Sequence, residues 1–421
     1  MSQTSKRYPW ILVGLLWVVA LLNYMDRQML STMKPSMQID IHELQSAANF
    51  GYLMAIFLWV YGIMSPLSGI IADKVNRKWL IIFSLFIWSA VTFSMGYAKT
   101  FNQIYWLRAL MGLSEALYIP AGLSLISDYH TTKTRSLAIG IHMTGIYMGQ
   151  ALGGFGATIA SHFSWQQAFH TFGFIGMAYS FILILFLRDK KSAVQINITK
   201  NVIESINQSR TASLTSIFKG VGLLFSNISF WIILFYFAIP SLPGWGVKNW
   251  LPTLYAQNLG IEMSVAGPMS TITLAGASFL GVLFGGILSD KWAQKNIQGR
   301  IYTSAIGLAL TVPALLLISY GHSLMAVVGA SICFGFGFGM FDANNMPIMC
   351  QFVASKYRAT AYGLMNMVGV FSGAIITNIL GKSSDKGSMG QDFIFLGLIV
   401  ILALIIQLTF LRPKHHDFID E

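Results

Sequence analysis

The sequence predicts an all-α integral membrane protein, with twelve transmembrane helices arranged as two pseudo-symmetric six-helix halves. Composition, a series of apolar segments of bilayer length, and an internal repeat lead to this expectation. Of the residues, 55% are hydrophobic and only 10% charged, with a mean hydropathy of +0.62. A soluble domain carries about 25% charged residues. A membrane-spanning helix needs about 20 apolar residues to cross roughly 30 Å of hydrocarbon. Such segments lie near 10–31, 49–71, 79–97, 101–127, 137–160, 166–187, 228–256, 266–288, 301–319, 323–348, 360–380 and 392–411. The first follows Lys6 and Arg7 but is too long for a signal-peptide core and has no convincing cleavage site, so it is an uncleaved span.

Orientation follows from the basic residues, because Lys and Arg are retained in cytoplasmic loops. Of the 27 Lys and Arg, Arg27 and Arg108 fall within spans, and Lys34, Lys99, Lys248, Lys382 and Lys386 fall in outer loops. All the others fall in cytoplasmic segments if both termini are inside. The net charge of +11 is therefore a topology signal in a multi-pass inner-membrane protein, and nucleic acid is not an expected partner. The one long polar stretch, 188–227, reads as a cytoplasmic linker carrying a surface helix around 216–225. It divides the chain into a 1–187 bundle and a 228–421 bundle.

The two bundles repeat each other. Gly69-x-x-x-Asp73 in the first recurs as Gly286-x-x-x-Asp290 in the second. Arg135-x-x-Ala-x-Gly140 is matched by Arg358-Ala-Thr-Ala-Tyr-Gly363. Glu115-Ala-x-x-x-Pro120 recurs as Asp342-Ala-x-x-x-Pro347. Three matches at nearly constant offset imply two halves of shared topology.

Asp26, Arg27, Arg108, Glu115 and Asp342 interrupt otherwise apolar spans. A charge at bilayer depth costs at least about 2.5–3.5 kcal/mol, so such groups face a bundle interior or a watery cavity and mark an ion or substrate path. Arg108 and Glu115 are seven apart, on one helix face but two turns removed. Each therefore needs a partner elsewhere, and Asp26 and Arg27 are the available ones. Arginine stays protonated and presents a planar fork that takes a carboxylate bidentately, which makes Arg27 the expected anion anchor. Carboxylates in apolar surroundings can exchange protons near neutral pH, so Asp26 and Glu115 are the expected proton carriers, with Arg108 biasing its neighbours. Asp342 is either a further titrating group or a residue of the cytoplasmic mouth.

Other polar residues add candidates. Tyr24 and Tyr61 suit a hydroxylated substrate, against a plain packing role for membrane tyrosines. Asn344 and Asn366 are amides in apolar helices and are placed in the cavity, although interhelical bonding is their ordinary use. His142 and His170 read as helix-end polar residues. Gly145-x-x-x-Gly149-Gln150-x-x-Gly153-Gly154 has the small-residue spacing of close helix packing, with Gln150 free to face substrate. Asp73, Arg77, Lys78 and Asp290 are expected to gate the cytoplasmic face. Cys333 and Cys350 form no disulfide framework or metal spacing. There is no nucleophile–His–acid set, metal cluster or phosphate loop, so neither an enzyme nor a cofactor is expected. A sensor is disfavoured by the shortness of the cytoplasmic segments.

These motifs resemble the major facilitator superfamily over nearly the whole chain. The Gly69, Asp73, Arg77, Lys78 element is similar to its signature loop, with Asn76 where glycine is usual. NYMDR at 23–27 and Arg108-x6-Glu115-Ala-x-x-x-Pro-Ala resemble the anion:cation symporter branch, which includes bacterial sugar-acid carriers and sialin-like proteins. Trp250-Leu-Pro-Thr and Asn366 fit the same branch, whereas spinster-type carriers share NYMDR, the basic loop and the acid of span four. The glycine motif also resembles that of drug antiporters, from which Gln150 departs by replacing proline. The resemblance implies substrate at midplane between the halves. It also implies proton-coupled symport of a small organic anion by a monomer, the alternative being a spinster-like lysolipid, sphingolipid or drug carrier working by proton exchange.

Overall fold

A computed structural model describes residues 7–189, 222, 224–353 and 357–412, and every regular element among them is a helix. Within hydrocarbon the backbone has no water to bond, so spanning segments close their hydrogen bonds internally. Short polar residues set the starts. Ser46, Asn76, Ser164 and Ser323 accept from backbone N–H groups three residues on, and Thr100 with Gln103 forms a capping box.

The amino-terminal group comprises α1 (Tyr8–Asp40), α2 (Ala47–Lys74), α3 (Arg77–Met95), α4 (Phe101–Glu115), α5 (Tyr118–Tyr129), α6 (Thr132–Gly153), α7 (Gly156–His162) and α8 (Trp165–Phe186). The carboxyl-terminal group comprises α9 (Ile228–Leu259), α10 (Met263–Ala293), α11 (Gly299–Tyr320), α12 (Leu324–Asp342), α13 (Asn345–Met349), α14 (Arg358–Asp385) and α15 (Met389–Phe410). Among the described residues eleven segments are long and apolar enough to cross a membrane, α4 with α5 and α12 with α13 each forming one. The twelfth expected span is present as α6 and α7, interrupted at Gly154 and made less apolar by Lys133, Arg135, His142 and Gln150. The first span is longer than expected, running 33 residues through Pro35 to Asp40, so Lys34 is helical rather than part of a loop. Most of the expected linker, 190–221, lies outside the described residues.

The repeated acid-Ala-x-x-x-Pro motif has a structural meaning. Helix α4 stops at Glu115 and α12 stops at Asp342, each followed by two non-helical residues before the chain resumes its course. Proline lacks an N–H and crowds the carbonyl four residues before it. For Pro120 that carbonyl belongs to Ala116, and for Pro347 to Ala343, so both breaks fall where proline disfavours a continuous helix. Each break carries a carboxylate on its last helical residue.

Glycine spacing brings backbones together, as expected where membrane helices associate by packing rather than by exclusion of water. A Cβ at Gly145 would lie 2.6 Å from the Trp17 carbonyl oxygen, and one at Gly149 would strike Leu21, so α6 rides directly on α1. Between the two groups, Gly51 meets Thr377 and Gly381 meets Ala47, which presses α2 against α14.

That seam ends in a polar latch. The Asp385 carboxylate accepts from the Ala47 and Ala48 N–H groups (2.6 and 2.9 Å) and from the Ser46 hydroxyl (2.7 Å). An anion at a helix N-terminus meets unsatisfied donors and the positive end of the dipole. Alongside, Thr158 donates to the Ser264 carbonyl, Thr271 to the Ala151 carbonyl and Gln28 to the Lys248 carbonyl. These contacts and the Asp385 latch lie on one side of the molecule, opposite the basic end that holds Arg77, Arg300 and Arg358, while the Ser65–Asn366 bond ties α2 to α14 further along the seam, nearer that basic end. Replacing Asp385 with alanine removes three bonds of the latch at once. Spin labels placed at positions 43 and 386 should therefore move apart in Asp385→Ala, and an unchanged distance distribution would show that the latch does not hold this end closed.

Candidate functional site

Arg27, on α1, is the hub of the amino-terminal group. Its Nε donates to Glu115 Oε2 at 2.6 Å, joining α1 to the break after α4. Its guanidinium carbon lies 4.8 Å from the ring centre of Tyr24, 4.8 Å from Phe57 and 4.6 Å from Tyr61. A cation over desolvated aromatic faces gains about 0.5–2 kcal/mol per good contact. These three rings therefore fix the guanidinium plane as firmly as the ion pair does. The side chain is 10% exposed, and its Nη2 has no hydrogen-bond partner among the described residues.

Three further charges or amides sit behind this hub. Glu115 is fully buried, Asn23 lies alongside it, and its Oε1 makes no well-formed hydrogen bond. Asp26 and Arg108 are also buried. Asp26 Oδ2 receives only a long 3.4 Å contact from Thr92, and its nearest charges are Glu115 and Arg108. Arg108 shares the Phe57 ring with Arg27, at 4.8 Å, and its Nη1 points at the Met111 sulfur, 3.1 Å away. Two arginines and two carboxylates give a cluster with no net formal charge. Buried charges survive only with such compensation, and breaking one pair leaves an uncompensated charge. Of the pairings expected across helices, Arg27 with Glu115 is present, whereas Arg108 makes no ion pair with Asp26.

The carboxyl-terminal group supplies a second set. Lys248, expected in an outer loop, is instead well inside α9, half-buried, with its Nζ 5.5 Å from the ring centres of both Trp245 and Phe338. Its charged neighbours are Asp342 and Arg27. Span seven is one continuous helix of 32 residues, so a lysine two-thirds of the way along it has no loop to occupy. Asp342 is exposed although it sits at the helix break, and therefore opens onto the space between the groups. Asn345 Nδ2 donates to Asp342 Oδ1 at 3.2 Å, and Tyr236 in turn bonds Asn345 and Ser304. The field of Asp342 reaches Tyr24, Tyr147 and Tyr362, the first two from the opposite group. Sequence reasoning does not single out Lys248, Tyr147 or Tyr362. Lys248 carries a usable signal all the same, since its offset from Arg27 falls within the spread of the offsets between the repeated motifs.

The remaining candidates divide. Tyr24 and Tyr61 are at the site, against Arg27. Gln150 is half-buried beside the Gly149 contact. Asn366 donates to Ser65 at 2.8 Å and ties α14 to α2. Asn344 does not line the space: it is fully buried and donates to the Met340 carbonyl at 2.8 Å, serving the helix break. His142 is not a helix-end residue, being buried mid-helix against Tyr118. His170 does lie near the start of α8, against Phe93 and Tyr97. Of the gating set, Arg77 pairs with Asp128, Lys78 donates to the Ile184 carbonyl and Arg300 pairs with Asp290 at 3.0 Å, each bond within its own group. The side chain of Asp73 lies outside the described ones.

Two helix groups with pseudo-symmetric breaks around a charged midplane are one half of an identification, and sequence comparison supplies the other. Residues 16–377 match the model of the Major Facilitator Superfamily. The chain belongs to that superfamily. It is a multi-pass membrane transporter, not an enzyme. Within the superfamily it is similar to the probable galactarate/D-glucarate transporter GarP of Escherichia coli strain K12, 24% identical over 95% of this chain and 94% of that one. The hexuronate transporter of the same strain is 23% identical over 97% and 95%. Among solved structures, a bacterial homologue of the lysosomal transporter spinster, inward-facing and occupied, superposes with a TM-score of 0.78 at 18% identity over 98% and 99% of the two chains. That likeness concerns the fold alone.

Proposed function

We propose that this transporter is a proton-coupled symporter of a small organic anion, a sugar acid or similar carboxylate. The observation that carries the proposal is the Arg27–Glu115 ion pair, whose guanidinium keeps a buried, unpartnered Nη2. A proton on Glu115 cancels the charge that holds Arg27. The freed fork then accepts a substrate carboxylate bidentately. One proton and one carboxylate entering together leave the cluster with the same net charge, so the two loads favour each other in a low-dielectric site. Asp26, between Glu115 and Arg108, is the second proton carrier. Tyr24, Tyr61, Tyr147 and Tyr362 offer hydroxyls to a polyol chain, and Gln150 an amide. The similarity to sugar-acid transporters supports this substrate class.

Alternating access then consists of rocking the 1–187 bundle against the 228–421 bundle about this site, with 188–227 as the cytoplasmic linker. With the basic end facing the cytoplasm, as the loop charges require, the Asp385 latch closes the outer face. Arg77, Lys78, Asp290 and Asp73 then stand at the mouth that must close in the opposite state. The protein works as a monomer in the inner membrane. The orientation has a direct check: a thiol introduced near Ser205 should stay unlabelled by an impermeant reagent added to intact cells, and its labelling would invert the topology.

The function is tested by a thermal-shift screen of purified protein against hexonates, hexuronates, sialic acid, dicarboxylates and lysolipids, followed by uptake of the stabilising compound into proteoliposomes. Stabilisation by an organic anion, with uptake driven by an inward proton gradient, is the expected result. Stabilisation by lysolipids alone would move the protein to a spinster-like role.

A further inference from the structure

The interior of the amino-terminal group holds more unpartnered polar atoms than its ion cluster accounts for. Asn23 Nδ2 and Oδ1, Asp26 Oδ1, Trp88 Nε1, Arg108 Nε, Glu115 Oε1 and both ring nitrogens of His142 are buried without a well-formed hydrogen bond among the described residues. Leaving such groups unbonded in a low-dielectric interior is costly. The carboxyl-terminal group differs. Among its described residues the unpartnered buried atoms are all acceptor oxygens, and on Asn344, Gln351 and Gln407 the amide of the same side chain donates to a carbonyl. Donors and acceptors orphaned together, as in the first group, are what buried water joins.

These atoms form one column. Asp26 meets Thr92 at 3.4 Å, and Trp88, one turn before Thr92 on α3, meets Tyr118 with 5.7 Å between ring centres. The Tyr118 ring lies 5.9 Å from that of His142, and its hydroxyl donates at 2.7 Å to the Leu16 carbonyl, beside the same histidine. Asn23, two turns beyond Leu16 on α1, brings the column back to Glu115. Tyr118 opens α5 just after the Glu115 break, and α5 runs from there to the basic end, so His142 stands on that side of the charge cluster. Nearer the basic end of α6, Thr134 Oγ1 lies 3.1 Å from His130 Nδ1, and His130 Nε2 lies 3.2 Å from the Pro9 carbonyl.

We propose that this column is a hydrated proton path inside the amino-terminal bundle, separate from the substrate cavity, and that His142 is its relay toward the basic, cytoplasmic end. The proposal rests on the proton-coupled symport reading above and adds the route by which the proton leaves. A proton lost from the Glu115 carboxyl passes through water to one ring nitrogen of His142 while the other nitrogen releases its own proton toward the basic end. Rotation of the ring resets the tautomer. The imidazole is neutral before and after, so the relay needs no counter-ion. Its titratable neighbour is Tyr118 of α5, with Tyr179 of α8 behind it, and no charged side chain pairs with it among the described residues. A substrate filling the cavity between the groups then does not obstruct the proton's exit.

The test compares proton-gradient-driven uptake with counterflow in proteoliposomes of the full-length protein, with galactarate and galacturonate as probes, for wild type, His142→Gln and Trp88→Phe. Glutamine keeps a hydrogen-bonding side chain but cannot pass a proton from one nitrogen to another. His142→Gln should slow gradient-driven uptake roughly tenfold or more, less than the full effect of a positioned acid–base group because other steps share control of the rate. Counterflow should stay at the wild-type rate. Trp88→Phe, which removes the unpartnered indole N–H, should show the same split more weakly, and it decides the matter if His142→Gln does not melt as a folded protein. Gradient-driven uptake unaltered in a folded variant overturns the inference and leaves symport standing. So does an equal loss of driven uptake and counterflow, which would make His142 a packing residue. If wild type accumulates neither probe under the gradient, the symport reading falls and takes the inference with it.

Discussion

Arg27→Lys should abolish or sharply reduce organic-anion uptake although it keeps the charge. In the structure the guanidinium does three things at once. It donates Nε to Glu115, stacks on Tyr24, Phe57 and Tyr61, and keeps a buried Nη2 without a partner. A lysine ammonium is a compact point charge on a flexible stem and cannot hold a planar fork against three rings while donating in two directions. Loss of one charge-assisted hydrogen bond costs about 1.5–3 kcal/mol, or roughly ten- to a hundredfold in affinity. Direct binding to the purified variant measures this, with a melting curve to show that it is folded. Near-normal affinity in a folded Arg27→Lys protein would remove Arg27 as the anchor and leave Lys248 as the first cation to test.

How much of this site is legible in sequence depends on which physical constraint acts. Span length and apolarity are local properties, so the spans can be placed from sequence, and the acid-Ala-x-x-x-Pro repeat marks two helix breaks because proline acts on its own helix. Partner choice is different. Helical spacing shows that Arg108 cannot simply pair with Glu115, and charge matches Glu115 to Arg27 and Arg108 to Asp26, yet that only the first of these closes as an ion pair depends on the rotation of α1 against α4. The glycines that seat α6 on α1 help to fix how α1 lies, and that packing is not contained in either helix alone. A loop-charge tally assumes that lysines avoid spans, and so it assigns Lys248 to a loop. Its place inside the 228–256 apolar segment and its offset from Arg27 both speak against that. Asn344, as a polar residue in an apolar helix, is assigned to the cavity on the same kind of reasoning, whereas the carbonyl freed by the break at Ala343 explains why an amide is wanted there. The Asp385 latch joins residues 337 to 339 positions apart, and the start of α2 looks like an ordinary serine cap until that contact is seen.

Glu115→Gln should separate proton coupling from binding. The substitution keeps the side chain's length and gives it permanently the neutral form that Glu115 takes on gaining a proton. The amide oxygen still accepts from Arg27 Nε, and the cluster loses one negative charge, as it does when the proton binds. The variant should therefore bind substrate and exchange it across the membrane in counterflow, but fail to accumulate it against a gradient, because no proton can be released to complete the cycle. Asp26→Asn is the length-matched variant at the second carboxylate, which reaches Thr92 and lies beside Arg108. The decisive measurement is uptake into proteoliposomes with and without an imposed inward proton gradient, run alongside counterflow for wild type and both variants. Accumulation retained by both variants would mean that neither carboxylate carries the proton, and Asp342, at the pseudo-symmetric break, would be next. Wild-type uptake that ignores the gradient would end the symport reading itself. Loss of counterflow in Glu115→Gln would give Glu115 a different role, as the counter-charge without which Arg27 is not held in place.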